Sequence, residues 1–175
     1  MIDLDSQSWS ELRAAGGGTG TLAASLLRRL YDGDDSVLGE LFEQSCHQFT
    51  PSDVGYATVP HLTRLVRLRP ETAFRLEALR IIGSVVAGRD ASPTSSPPIP
   101  TSLQSDFDRA LADAIGIATK LIATEQLTPG KSMECLAVIA ALRKNTNLAM
   151  LIFLCGGAEL SCPTCGEPID FVEKA

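Results

Sequence analysis

The sequence is poor in aromatic residues. It contains one Trp, two Tyr and six Phe in 175 residues, although hydrophobic residues make up 45% of the chain. The length allows one domain with a sizeable buried core, and that core must be built mainly from Leu, Ile, Val and Ala. Such side chains suit helix-on-helix packing better than a β-sandwich. The composition therefore favours an all-α fold.

Several other features are missing, and each excludes a class of protein. The net charge of −6 leaves no basic excess to neutralise phosphates, so we expect no nucleic-acid partner. No basic start is followed by an apolar run, and the apolar stretch 136–155 is interrupted by Arg143, Lys144 and Asn145. We therefore predict neither a signal peptide nor a membrane association. Five cysteines without the spacing of a disulfide framework predict a cytoplasmic protein.

Apolar residues recur at helical spacing along most of residues 1–157, which predicts a helical domain of about seven or eight helices. Thr50-Pro51-Ser52-Asp53 predicts a helix start with Thr50 as its cap, and the helix should be kinked at Pro60. The following helix should end at Gly88. Residues 91–102 are rich in proline and hydroxyl residues, and we predict an unpacked loop there.

Two neighbouring segments carry a repeat pattern. Residues 57–66 read ATVPHLTRLV, and residues 75–83 read RLEALRIIG. Together they resemble a HEAT repeat, whose first helix has Ala-x-x-Pro-x-Leu-x-x-Leu and whose second has Arg-x-x-Ala-Leu-x-x-Ile-Gly. The chain is thus similar to small bacterial HEAT-like proteins. The resemblance implies stacked antiparallel helix pairs, an α-solenoid, and a role as a scaffold or binding module.

Two cysteines near the end of the sequence have the spacing of metal ligands. Cys162-Pro163-Thr164-Cys165-Gly166 lies between segments that alternate apolar and polar residues, which predicts a small β-hairpin over residues 158–175 with a structural zinc knuckle at its tip. A closed zinc site needs four ligands, so two are missing. The nearest candidates are Cys46, His47 and Cys155, with Cys135 and His61 behind them. Alternatively, two copies of the chain each supply one cysteine pair and form a homodimer.

These residues also have other interpretations. Cys135 and Cys155 can be small core residues, because the runs around them, including residues 151–154, are typical of buried helix. His47 and His61 can be ordinary polar or capping residues. Cys-Pro-x-Cys also occurs in thiol–disulfide oxidoreductases, so the pair could act in redox chemistry or remain as free thiols. A zinc hydrolase would need a general base such as Glu167.

Charge is distributed unevenly along the chain. Residues 1–45 carry eight acids and three arginines, whereas residues 60–89 carry six arginines and two glutamates. Helices normally expose charged side chains, so the arginines can simply be solvated. Alternatively, Arg64, Arg67 and Arg75 form a partner-binding surface.

No set of residues converges on a catalytic chemistry. We therefore expect a non-enzymatic protein–protein interaction or scaffold module, whose partner is another, unidentified protein. One specific alternative is an immunity-type protein that neutralises a bacterial toxin, because an acidic surface can cover a basic active site. The other is a thiol-redox or metal-dependent enzyme that uses Cys162 and Cys165.

Overall fold

The computed structural model describes residues 1–155 and two short strands beyond them, at 160–161 and 168–169. Helices predominate in this part of the chain. The α-helices are α1 (Thr21–Tyr31), α2 (Leu38–Ser45), α3 (Asp53–Leu68), α4 (Thr72–Ala91), α5 (Thr101–Thr124), α6 (Pro129–Leu142) and α7 (Thr146–Cys155). Two 3-10 turns cover Gln7–Glu11 and Asp35–Val37, and the strands are β1 (Cys46–His47), β2 (Thr50–Pro51), β3 (Leu160–Ser161) and β4 (Pro168–Ile169). The predicted helical class is confirmed.

The helices pack in sequential pairs, α1 with α2, α3 with α4 and α5 with α6. Between the pairs, α3 contacts both α1 and α5, and α4 contacts both α2 and α6. The last helix, α7, lies against α4 and α6. Four aromatic side chains are buried in the described part of the chain, namely those of Trp9, Tyr56, Phe74 and Phe107. The rest of the core is mainly aliphatic, as the composition predicts.

The start of α3 lies two residues later than predicted. Thr50 and Pro51 do not begin the helix, because they pair antiparallel with Cys46 and His47 in the β1–β2 hairpin. Ser52 is the cap instead, and its hydroxyl oxygen accepts a hydrogen bond of 3.2 Å from the amide of Gly55. The helix continues through Pro60 to Leu68.

The end of α4 also differs from the prediction. The helix continues past Gly88 to Ala91, and Gly88 serves a packing role. The carbonyl oxygen of Phe49, in the turn between β1 and β2, lies directly over the Gly88 Cα, where a Cβ atom would otherwise sit. Glycine is therefore needed at this position for close approach of two backbones rather than for helix termination.

The segment after α4 is a loop, as predicted, but its second half packs on the core. The Tyr56 hydroxyl donates a hydrogen bond of 2.9 Å to the Pro97 carbonyl, and Ile99 packs against buried core residues. Between the end of α4 and Pro97, the consecutive exposed residues are 92–95. The next helix begins at Thr101.

Residues 7–11 of the N-terminal segment form a 3-10 turn. Two side chains hold the segment in place, one from the turn itself and one from α3. The Trp9 indole N–H donates to the Asp3 carbonyl at 3.0 Å, and His61 Nε2 lies 2.9 Å from the Ile2 carbonyl. None of the helices in the described residues is long and apolar enough to cross a membrane.

Candidate functional site

Cys46 and His47 lie side by side in β1, but their side chains point to opposite faces of the hairpin. The Cys46 thiol is completely buried and lies 3.7 Å from the Ser84 carbonyl, to which it donates. Burial, with a smaller contribution from the Glu43 charge, raises its pKa to about 12. The imidazole of His47 is exposed, and its Nδ1 lies 2.7 Å from Glu43 Oε2. The two residues therefore do not converge on one metal ion or one substrate.

The other cysteines divide between the core and the C-terminal end of the chain. Cys135 is buried and its thiol contacts the Ala118 carbonyl at 3.4 Å, which confirms its interpretation as a core residue. Burial raises the pKa of this thiol. Cys162 and Cys165, and the side chain of Cys155, lie outside the described residues. Residues 1–155 contain no group of three or more His, Cys, Asp or Glu side chains placed to hold a metal ion.

The predicted hairpin is present as a backbone pairing. Leu160 lies opposite Ile169, and Ser161 lies opposite Pro168, in antiparallel register. These pairs bracket the segment that contains both C-terminal cysteines. The knuckle itself stays a prediction.

The three predicted partner-binding arginines have different surroundings. Arg64 is exposed on α3, and its guanidinium carbon lies 5.8 Å from the centre of the Tyr31 ring. Arg67 forms an ion pair of 2.6 Å with Asp113 on α5. Arg75 on α4 is half-buried, and its Nε makes no hydrogen bond among the described residues. Their role in partner binding stays a prediction, although Arg67 also has an internal role that joins α3 to α5.

His61, a secondary metal candidate, is enclosed within the protein. It is buried beside Trp9, with 5.9 Å between the ring centres, and its Nδ1 lies 3.3 Å from the Tyr31 hydroxyl. Burial is the main reason why its pKa falls to about 4, and the charge of Arg64 acts in the same direction. Both ring nitrogens have partners, so this imidazole holds the N-terminal segment in place.

An apolar face is exposed at the end of the helix pairs. Leu148, Leu151 and Leu154 follow one another at three-residue spacing on α7, and the last two are 58% and 59% exposed. The opposite side of α7 is buried through Ala149 and partly through Phe153. The expectation that residues 151–154 are buried core is thus wrong for Leu151 and Leu154. The reason is that α7 is the last helix, and no further element covers its outer side within the described residues.

Besides this leucine face of α7 (Leu148, Leu151 and Leu154), Met133 and Leu136 on α6 are also exposed. Residues 146–155 include no charged side chain. A water-exposed helix normally carries polar residues on its outer side, so the composition of α7 is unusual for a helix with an exposed face.

No protein-family model matches this chain, and searches of the curated proteins and of the solved structures gave no significant match.

Proposed function

We propose that this protein is a non-enzymatic protein–protein interaction module and that its docking surface is the leucine face of α7. The observation that carries the proposal is the exposure of three leucines on a helix whose other side is already packed on α4 and α6. Apolar surface is stabilised when it leaves water, and each leucine buried by a partner contributes about 1.5–3 kcal/mol. The partner is a protein that presents an apolar, weakly charged surface, since α7 offers no charge for an ion pair.

The order of the helices supports a HEAT-like solenoid as the scaffold of this module. Contacts run from α1 to α3 to α5 along one layer and from α2 to α4 to α6 along the other. This is the arrangement expected when helix pairs are stacked and each pair covers the apolar face of its neighbour. The unpaired helix α7 packs on α4 and α6 of the second layer, and none of the described helices covers its outer side.

The C-terminal hairpin is part of the proposal. The antiparallel pairing of 160–161 with 168–169 supports a turn that brings Cys162 and Cys165 to one end, where they would hold a structural zinc ion. Cys46 is an unsuitable further ligand because its thiol is buried and protonated. We therefore assign the remaining ligands to Cys155, to the exposed His47 or to the cysteines of a second copy of the chain.

The docking surface is tested by a double variant, Leu151→Gln with Leu154→Gln. Glutamine preserves helix propensity and removes the apolar contact. The matched control is Leu22→Gln with Leu68→Gln, because these leucines are also exposed but lie on α1 and α3. A partner isolated by affinity capture on the wild-type chain is purified and titrated calorimetrically against all three proteins.

We expect the α7 variant to bind the partner at least about 100-fold more weakly, which corresponds to about 3 kcal/mol for two leucines. The control variant should bind within about twofold of wild type. Equal affinity of the α7 variant and wild type would contradict the proposal, as would an equal loss in the control. Charge reversal at Arg64, in a separate variant, shows whether the arginine-bearing surface takes part.

A further inference from the structure

A cavity of about 300 Å³ lies between the first turns of α6, the last turns of α7, the middle of α4 and the turn between β1 and β2. It does not include the leucine face of α7. The volume is at the lower end of the range of small-molecule sites. The lining residues are Phe49, Arg80, Ser84, Gly130, Met133, Glu134, Ile152 and Phe153.

The turn at the mouth of this cavity has two residues with positive φ angles and carries an aromatic ring that lines the cavity. Gln48 and Phe49 have φ angles of 49° and 56°, in the left-handed region where a residue other than glycine costs about 1–2 kcal/mol. The Phe49 ring lies 5.7 Å from the Phe153 ring, measured between centres. Gln48 and Phe49 are the two residues that join the paired strands β1 and β2, and a two-residue hairpin turn of type I′ requires a positive φ at both positions. This turn fixes one apolar wall of the cavity.

Ser84 contributes to the wall of the same cavity, but its hydroxyl lies behind that wall. The residue is completely buried, its Oγ is closed off from solvent, and this atom makes no hydrogen bond among the described residues. A ligand in the cavity therefore does not reach the Ser84 hydroxyl, and its polar contacts come from the charged residues of the lining.

Two opposite charges line the cavity together. Arg80 lies one turn before Ser84 on α4, and its Nε and Nη2 bind Glu77 while its plane lies 4.8 Å from the Phe42 ring centre. Its Nη1 has no partner among the described residues. The hydrogen bonds to Glu77 raise the pKa of this guanidinium, and the Glu134 charge makes a smaller contribution in the same direction. Glu134 on α6 makes no ion pair in the described part of the chain. The first turn of α6, with Gly130, adds backbone N–H groups that favour an anion.

We propose that this cavity binds a free apolar α-amino acid as its zwitterion. The carboxylate accepts a hydrogen bond from Nη1 of Arg80, the guanidinium nitrogen that Glu77 does not occupy. The ammonium group pairs with Glu134, and the apolar side chain lies against Phe49, Ile152 and Phe153. The site combines apolar walls with a few converging polar groups, as small-molecule sites do. This inference is independent of protein docking on α7, which uses other residues.

The test is isothermal titration calorimetry of the full chain with L-phenylalanine and L-leucine. Two analogues, 3-phenylpropionate and 2-phenylethylamine, each lack one of the two charged groups. The variants are Glu134→Gln and Ser84→Ala, and the matched control is Glu40→Gln, which neutralises an exposed glutamate of α2 away from the cavity. Thermal unfolding of each variant shows whether it is folded.

We expect at least one of the two amino acids to bind, and both analogues of L-phenylalanine to bind at least about tenfold more weakly. Glu134→Gln should weaken binding of the amino acid about tenfold but leave 3-phenylpropionate unchanged, and Glu40→Gln should change neither. Ser84→Ala should leave the binding of both ligands unchanged, because the Ser84 hydroxyl is closed off from solvent. The inference is overturned if neither amino acid binds at about 10 mM, the limit of weak binding worth measuring. It is also overturned if 3-phenylpropionate binds as tightly as L-phenylalanine, or if Glu134→Gln has no effect.

Discussion

Replacing Gly88 by alanine tests the close packing of the β1–β2 turn on α4. The new Cβ atom would overlap the Phe49 carbonyl oxygen and lie 2.8 Å from its carbonyl carbon and 3.2 Å from Pro51 Cδ. The first two are backbone atoms, which cannot rotate away as a flexible side chain can. Overpacking of this kind costs about 1–3 kcal/mol. The gain in helix propensity from glycine to alanine offsets at most about 1 kcal/mol. We therefore expect a net loss of about 1–2 kcal/mol.

Gly116→Ala is the matched control for this substitution. Gly116 lies inside α5, and a Cβ atom there meets nothing within 4 Å. Because only propensity and chain entropy change, this variant should gain about 0.5–1 kcal/mol. Urea unfolding followed by circular dichroism measures both changes, provided the urea dependence of the free energy is the same as in wild type. If Gly88→Ala is as stable as Gly116→Ala, the turn does not rest on α4 as described.

Two further predictions concern His61 and the C-terminal cysteines. Burial lowers the pKa of His61 from 6.5 to about 4, so the unfolded chain binds a proton first as the pH falls. Relative to His61→Gln, the free energy of unfolding should be fully retained above pH 6.5 and should fall by about 3 kcal/mol on acidification to pH 4. Urea unfolding of both proteins over this pH range measures the difference. A pH dependence equal to that of His61→Gln would contradict the burial of the imidazole. For the cysteines, native mass spectrometry of protein purified without chelator should show one zinc ion per chain or per two chains, and Cys162→Ser should remove it and lower the Tm. Metal-free protein whose Tm does not respond to EDTA would disprove the zinc proposal.

The helices could be predicted from the sequence because helical periodicity depends only on local spacing. The apolar residues Tyr56, Val59 and Leu62 recur at helical spacing and form a buried stripe of α3. The amide of Lys131 donates to the Thr128 hydroxyl oxygen, so α6 begins at a cap that the local sequence supplies. In these cases a residue's neighbours in the sequence are also its neighbours in space.

The sequence-based predictions are wrong where contacts with a distant segment of the chain determine the local structure. Thr50 and Ser52 are equally good caps on their own, and pairing with β1 selects the second. A glycine near the end of a helical pattern can either terminate the helix or allow another backbone segment to pack closely on it, and the sequence around Gly88 does not distinguish the two. Leu22 follows the helical pattern of α1 but is exposed. Periodicity shows which residues share a face, whereas tertiary packing determines whether that face is covered.

The candidate sites were harder to predict for the same reason. The cavity joins Phe49, Ser84, Glu134 and Phe153, which are widely separated in the sequence and belong to no recognisable motif. The leucine face could not be predicted from the hydrophobic pattern either. The sequence of α7 is typical of a buried helix, and only the tertiary structure shows that one of its sides is left exposed. By contrast, the cysteine pair stands out from spacing alone.

The packing of Pro97 and Ile99 has a consequence for proteolysis. Composition alone would make residues 91–102 the obvious place to cut the chain, since exposed loops of small and polar residues are preferred nicking sites. Here the loop has only residues 92–95 continuously exposed, and beyond them it is held by the Tyr56 hydroxyl and by the core. A protease that needs a longer extended stretch must first pull the loop away from α3. Cleavage at this segment would therefore report opening of the core around Tyr56, and limited digestion becomes a probe of the stability of the helix pairs.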